Sequence, residues 1–292
     1  MATVYSSNVY SSNRSYPPQE NRLTSPLMSQ WRLLSTIVSN EVYKGLLIQW
    51  SYKFNLLSES IMAIFMFIGI VFFAGGGELH PERVPSALLG FLVTYYANIA
   101  IGNMAYNLRE EAQQGTLEKW YMSPASSSVV LMGRTLSTFV VTTVTNVLIA
   151  LPLMWAFDIR FPWRWEAVPV FIILLLGVYG FGFVIGGATL VFKNVGPLAN
   201  MVQNALLFLN GAFLAVTKFP EWLQAVSYTI PTTQGIHVLR RIILDGESFT
   251  AVWHDGSLMW LIIHSSLYLG AGLVVFSIAE RVAKKRGLLG HY

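Results

Sequence analysis

The chain has no cysteine among its 292 residues. That absence excludes disulfide frameworks, thiolate metal sites and cysteine nucleophiles together. Charge is scarce too: Asp, Glu, Lys and Arg make up 12% of the sequence, against roughly a quarter in an ordinary soluble domain. Catalytic signatures are missing as well. His80, His237, His254, His264 and His291 form no H-E-x-x-H pair or other metal-spaced pair, and no G-x-S-x-G elbow occurs. A G-x-x-x-x-G-K-[ST] phosphate loop is absent, and no polar stretch is long enough for a nucleotide-binding domain. The sequence therefore predicts no catalytic centre, no metal and no ATP hydrolysis by this chain itself.

What the sequence does have is apolar surface. Hydrophobic residues make up 54% of it, and mean hydropathy is +0.51. In water such a chain would expose large sticky patches, so the excess is expected to face lipid, as in an all-α, polytopic integral membrane protein. A helix crossing roughly 30 Å of hydrocarbon needs about 20 apolar residues. Six runs meet that requirement: Phe54–Ala74, Pro85–Leu108, Val129–Phe157, Ala167–Phe192, Pro197–Val216 and Ser257–Ala279. Alternating sides from an internal N-terminus puts thirteen of the nineteen Lys and Arg residues on the inner side, four of them in the tail "ERVAKKRG". The positive-inside rule then places both termini in the cytosol.

The polar first 26 residues, without a basic segment leading into an apolar core, read as a disordered tail rather than a signal peptide. Residues 280–292 form the basic tail at the other end. Between the first tail and the first span, residues 27–53 carry Trp31, Leu34, Ile37 and Val38 at helical spacing, with Arg32, Asn40 and Lys44 between them. This pattern fits an amphipathic helix lying in the membrane interface. It fits a cytosolic helix packed on a partner as well.

One polar island interrupts the apolar chain. "REEAQQGTLEKWYMSP", Arg109–Pro124, lies between the second and third predicted spans on the cytosolic side. At 100° per residue, Leu117, Trp120 and Tyr121 share one arc, and Glu111 and Glu118 share a flank. A short helix with a greasy stripe and an acidic edge suits docking to a partner. It also suits a solvated loop helix anchored by its aromatic residues.

The string "EAQQGTLEKWYMSP", Glu111–Pro124, resembles the signature of the type-2 export permeases of ATP-binding-cassette (ABC) transporters. A weaker echo is "IPTTQGIHVLRRIILDG", Ile230–Gly246, similar to the segment before that family's last span. The resemblance implies six spans, an N-terminal amphipathic helix, cytosolic termini and a bacterial plasma membrane. It implies that residues 109–124 hold a coupling helix seated on a separate ATPase subunit, with Glu111, Gly115, Thr116, Leu117, Glu118 and Trp120 at the contact; Trp120 stands where leucine is more usual. Two permease subunits, identical or different, are implied for a full transporter. ATP and Mg would belong to the ATPase, leaving no cofactor in this chain and no nucleic-acid partner.

A substrate path is sought among polar residues within spans. Asn200, Gln203, Asn204 and Asn210 project from the fifth run within about 120°. Amides are costly against lipid, so this stripe either lines the path or bonds neighbouring helices. On the second run Tyr95, Tyr96, Asn98, Asn103 and Tyr106 spread more widely; Tyr95, Asn98 and Tyr106 are path candidates by stacking, or packing residues. Glu59 and Arg134 are expected near the cytosolic interface, and His264 as a packing histidine. Gly182 and Gly186 read as a close helix contact. The external segment 217–256 holds "FPEWLQAVSY" and "GIHVLRRIIL", two short amphipathic helices expected to dip back into the bundle. Three rivals remain: a secondary transporter, a membrane enzyme, and a non-transporting anchor or regulator. The first would show more intramembrane carboxylates or broken spans in matching halves.

Overall fold

The computed structural model describes residues 26–113, 127–192 and 194–286. It is helical throughout, with no strand among the described residues. In chain order the helices are α1 (Pro26–Ser51), α2 (Lys53–Ala74), α3 (Val84–Gly102), a π-helical turn (Asn103–Asn107), α4 (Leu108–Gln113) and α5 (Ser127–Ala156). Then follow α6 (Ala167–Val191), α7 (Gly196–Leu209), a 3-10 turn (Val216–Lys218), α8 (Glu221–Thr229), α9 (Pro231–Ile243), α10 (Phe249–His254) and α11 (Ser257–Lys285). Proline in the first turn starts α3, α7 and α9, where the missing N–H costs nothing.

Among the described residues, five stretches are long and apolar enough to cross a membrane: Lys53–Ala74, Val84–Glu110, Gly133–Ala156, Ala167–Val191 and Ser257–Lys285. They match five of the six predicted runs. The run Pro197–Val216 is different. Its helix, α7, has 14 residues, about 21 Å at 1.5 Å per residue, too short for the hydrocarbon layer alone. Asn210 and Gly211 end it. Gly211 takes φ +77°, a left-handed conformation cheap only for glycine. The Asn210 carboxamide oxygen then accepts the Ala212 N–H at 3.0 Å. Hydropathy continues through residues 212–216, but the helix does not.

Helix α3 is the axis of the bundle. In its apolar window 67% of residues are buried, against 22% for α2 and for α11. Three apolar clusters meet on it. Leu89 and Val93 pack with Leu174, Ile236 and Leu258 at one end. Ala97 and Ile101 pack with Val178 and Ala199 in the middle. Leu88 and Phe91 join Phe67 and Ile149 on the flank, where the Phe67 and Phe91 rings lie 5.3 Å apart. Outward faces of α2 and α11 stay apolar and exposed, as at Phe65, Phe73, Leu267 and Val274, which is stable only against lipid.

The closest helix pair is α6 with α11. Gly177 faces Ser265, Gly180 faces Leu269 and Gly272, and Gly187 faces Phe276. The numbers rise together, so the two helices are parallel, and the chain between them returns to the end where α6 begins. Gly182 and Gly186, the glycine pair singled out by spacing, face Ala100 and Met104, with the Phe276 ring of α11 also against Gly186. At the return end α9 buries Ile236, Val238, Leu239 and Ile242, with Gly235 tight on Leu174. Helix α1 runs beside the start of α5: the Ser137 hydroxyl donates to the Glu41 carbonyl at 2.9 Å, and Arg134 lies 4.0 Å from the Glu41 carboxylate.

Candidate translocation path and coupling region

Helices α3 and α7 run antiparallel and are joined by polar rungs. Near one end the Asn210 amide donates to the Thr94 hydroxyl at 2.6 Å. In the middle Gln203 Nε2 donates to the Asn98 carbonyl at 2.8 Å, above Gly102, whose missing side chain leaves room for the amide. At the other end the Tyr106 hydroxyl meets Asn200 Oδ1 at 2.6 Å and the Gly196 carbonyl at 3.2 Å. A row at i+4 spacing (Thr94 and Asn98 on α3, then Gly102, then Tyr106 in the π-helical turn) thus meets the stripe on α7. Asn98 Oδ1 is buried without a partner.

Five of the seven path candidates therefore meet on one seam: Asn98, Tyr106, Asn200, Gln203 and Asn210. Asn204 does not join it and is exposed. Tyr95 turns the other way, toward Phe91 at 6.5 Å. The face of α7 away from α3 carries Leu198, Met201, Asn204 and Phe208, all exposed. Beyond the seam, Glu59 is exposed and accepts from Asn55 Nδ2 at 2.9 Å. His264 is buried between Trp260 and Tyr268.

Sequence reasoning missed the π-helical turn at Asn103–Asn107, which carries Tyr106. A π turn inserts one extra residue and re-aims side chains, and such turns concentrate at functional sites. Beyond it, α4 carries the chain to the polar island, and Arg109 Nη1 donates to Asn194 Oδ1 at 3.0 Å. The connection after α3 is thereby tied to the one between α6 and α7. Gly115, Thr116, Leu117, Glu118 and Trp120 lie outside the described residues; Glu111 lies in α4.

Also missed was the role of Arg240. Its Nε and Nη2 donate to the Ser86 carbonyl at 3.2 and 2.9 Å, Nη1 to Gly211 at 2.8 Å, and Nη2 to Ala212 at 2.7 Å. The Gly211 and Ala212 carbonyls lie just past the end of α7, where the helix supplies no partners, while the Ser86 carbonyl belongs to the first turn of α3. Gly90 makes space for the guanidinium, which sits 2.9 Å from where a Cβ would be. Burial lowers the Arg240 pKa to about 10. Arg241 makes a separate cluster, clamping Glu247 through Nε at 3.0 Å and pairing with Asp255. Hydrogen bonds from Arg241 hold Glu247 below the usual carboxylate range. Asp255 is held low by the Ser257 N–H first and Arg241 second.

A cleft of about 400 Å³ opens between α3, α5, α6 and α9. Tyr96, Val147, Phe161, Phe171 and Leu239 line it, with Asn146 among them. The Asn146 Oδ1 atom is buried with no partner. Trp163 and Trp165, both exposed, flank this end, while Trp50 and Tyr52 are exposed at the α1–α2 junction. Aromatic side chains at such levels suit the two membrane–water interfaces.

Against this background the sequence comparisons are decisive. Residues 22–244 match the model of the ABC-2 type transporter family. The chain belongs to that family. It is an integral membrane protein of the ABC permease type. Similar proteins include the probable multidrug ABC transporter permease YbhR of Escherichia coli strain K12, 25% identical over 153 residues, 51% of this chain and 41% of that protein. The same permease from Escherichia coli O157:H7 matches equally. The matched segment thus spans less than half the length of these relatives.

Proposed function

We propose that the chain is the transmembrane subunit of an ATP-driven exporter of amphipathic or lipid-like molecules, working with a separate ABC ATPase subunit and a second permease subunit. The observation that carries this reading is the family match over residues 22–244, joined to the route by which force would travel. Val84–Glu110 forms a nearly unbroken rod from the bundle centre to the polar island. A push on residues 114–124 would reach α3 directly, and would reach the α6–α7 connection through Arg109 and Asn194. Nucleotide binding by the partner then favours one arrangement of the bundle over another by differential affinity.

In this reading both termini are cytosolic, and α7 with the irregular chain after it makes a sixth, broken crossing. The exposed, mostly apolar face of α7, with Asn204 on it, is the side offered to the second permease subunit, with the path between them. An apolar cleft carrying the orphaned Asn146 acceptor favours an amphipath over a wholly polar cargo.

The test is reconstitution. The permease should co-purify with an ABC ATPase and stimulate it, and Glu118→Arg should abolish stimulation while leaving the subunit folded. Because the chain has no cysteine, single cysteines at Arg160 and Lys285 can be labelled from either side. Labelling of both from the same side, or transport by the permease alone, would overturn the reading.

A further inference from the structure

At the return end of the bundle lies a second cavity, about 350 Å³ in volume, bounded by the end of α2, the start of α3, the chain after α7, and α9. It lies within the size range of small-molecule sites, roughly 300–1,000 Å³. Three cationic residues border it: Arg83, Lys218 and Arg240. Among the described lining residues a single carboxylate opposes them, Glu82. That carboxylate is exposed, 3.5 Å from His80 Nδ1 and 3.9 Å from Arg83 Nε.

Arg240 matters most because its charge has no counterion. Among the described residues it makes no ion pair, and its bonds go to three neutral carbonyls. Of the five N–H donors of a guanidinium, four are used, leaving one on Nη1. A half-buried cation without a partner is costly, and an anion beside it recovers part of that cost. Lys218 is exposed and free to turn inward. Three cations around one chamber exceed what a single carboxylate ligand would neutralise and suit the multiple charge of a phosphate group.

We propose that this chamber is a phosphate-binding site, taking either free phosphate or the phosphate ester of an amphipath. The test uses the full chain purified in an uncharged detergent, at constant ionic strength. Titration calorimetry with inorganic phosphate, dihexanoyl phosphatidic acid and neutral dihexanoylglycerol separates the two sources. The Arg83→Gln/Lys218→Gln double variant changes only exposed side chains, so it should fold. Its affinity for the phosphate ligand should fall roughly tenfold or more, whereas Lys44→Gln in α1 should have no effect. Binding of inorganic phosphate would identify the anion itself as the ligand. Binding of phosphatidic acid alone would identify an ester. Saturable binding of neither, equal binding by the double variant, equal loss in Lys44→Gln, or equal binding of the neutral lipid would each overturn the assignment. These are binding readouts, independent of ATPase stimulation or transport.

Discussion

Two glycines on one helix make opposite predictions. An alanine Cβ at Gly272 would lie 2.8 Å from the carbonyl carbon of Gly180 and 3.1 Å from its Cα, with the carbonyl oxygen closer still. At Gly270, two residues away, a Cβ meets nothing within 4 Å. The obstacle at Gly272 is backbone, which cannot rotate aside. To reach the 3.4 Å of ordinary contact, α6 and α11 must part by about 0.6 Å for the carbonyl carbon and by more for its oxygen, and a gap of even about 0.5–1 Å forfeits about a quarter to a half of the local contact energy. Overpacking of this kind costs roughly 1–3 kcal/mol. The helix-propensity gain of Gly→Ala, about 0.5–1 kcal/mol, applies to both sites and cancels between them. Gly272→Ala should therefore be about 1–3 kcal/mol less stable than Gly270→Ala. Detergent-solubilised protein unfolded by heat or dodecyl sulfate and followed by tryptophan fluorescence gives the comparison directly. If the two variants unfold together, the close approach of α6 and α11 is wrong.

Other outcomes follow from the polar contacts. A double-mutant cycle with Asn210→Leu and Thr94→Val should give a coupling energy of about 0.6 kcal/mol, the average for hydrogen bonds between membrane helices, and at most about 1.7 kcal/mol; zero coupling would remove that rung from the seam. Tyr106→Phe should leave the fold intact but loosen the start of α7, read as faster amide exchange at residues 198–203; unchanged exchange would show that the hydroxyl holds nothing there. The Arg241 cluster has a definite acid dependence. Folding lowers the Glu247 and Asp255 pKa values, so the stability they add is complete above the ordinary carboxylate range, near pH 4, and disappears as pH falls through the lowered folded values. The midpoint of unfolding should drop more between pH 5 and 3 in wild type than in Arg241→Gln, and parallel curves would contradict the pairing.

Hydropathy made most of the helices legible because lipid-facing apolar length has few other uses. The same signal failed at residues 210–216. "NGAFLAV" is apolar enough to extend a span, yet Asn-Gly is a turn dipeptide, and here it ends α7 with Gly211 left-handed and Asn210 bonded to Ala212. The spacing puts Asn210 on a polar stripe, but its hydrogen bond to Thr94 joins residues distant in sequence. Arg240 was unreadable for the same reason. Its partners are the backbone carbonyls of Ser86, Gly211 and Ala212, which carry no side-chain signature. The amides of Gln203 and Asn200 were visible as a stripe, while the choice between path lining and helix bonding needed the opposite face of α3. The π turn left no signal in "IGNMAYN".

The interlock of Gly180 with Gly272 also bears on how the molecule is assembled. Helix α6 leaves the ribosome well before α11 and enters the bilayer with its glycine groove unfilled. In the folded bundle that groove is filled by the α11 backbone at Leu269 and Gly272. The nascent bundle therefore stays incomplete until α11 has been inserted in parallel beside it. Variants that delay or divert that last insertion should be cleared by membrane quality control far more readily than their small effect on overall hydropathy would suggest.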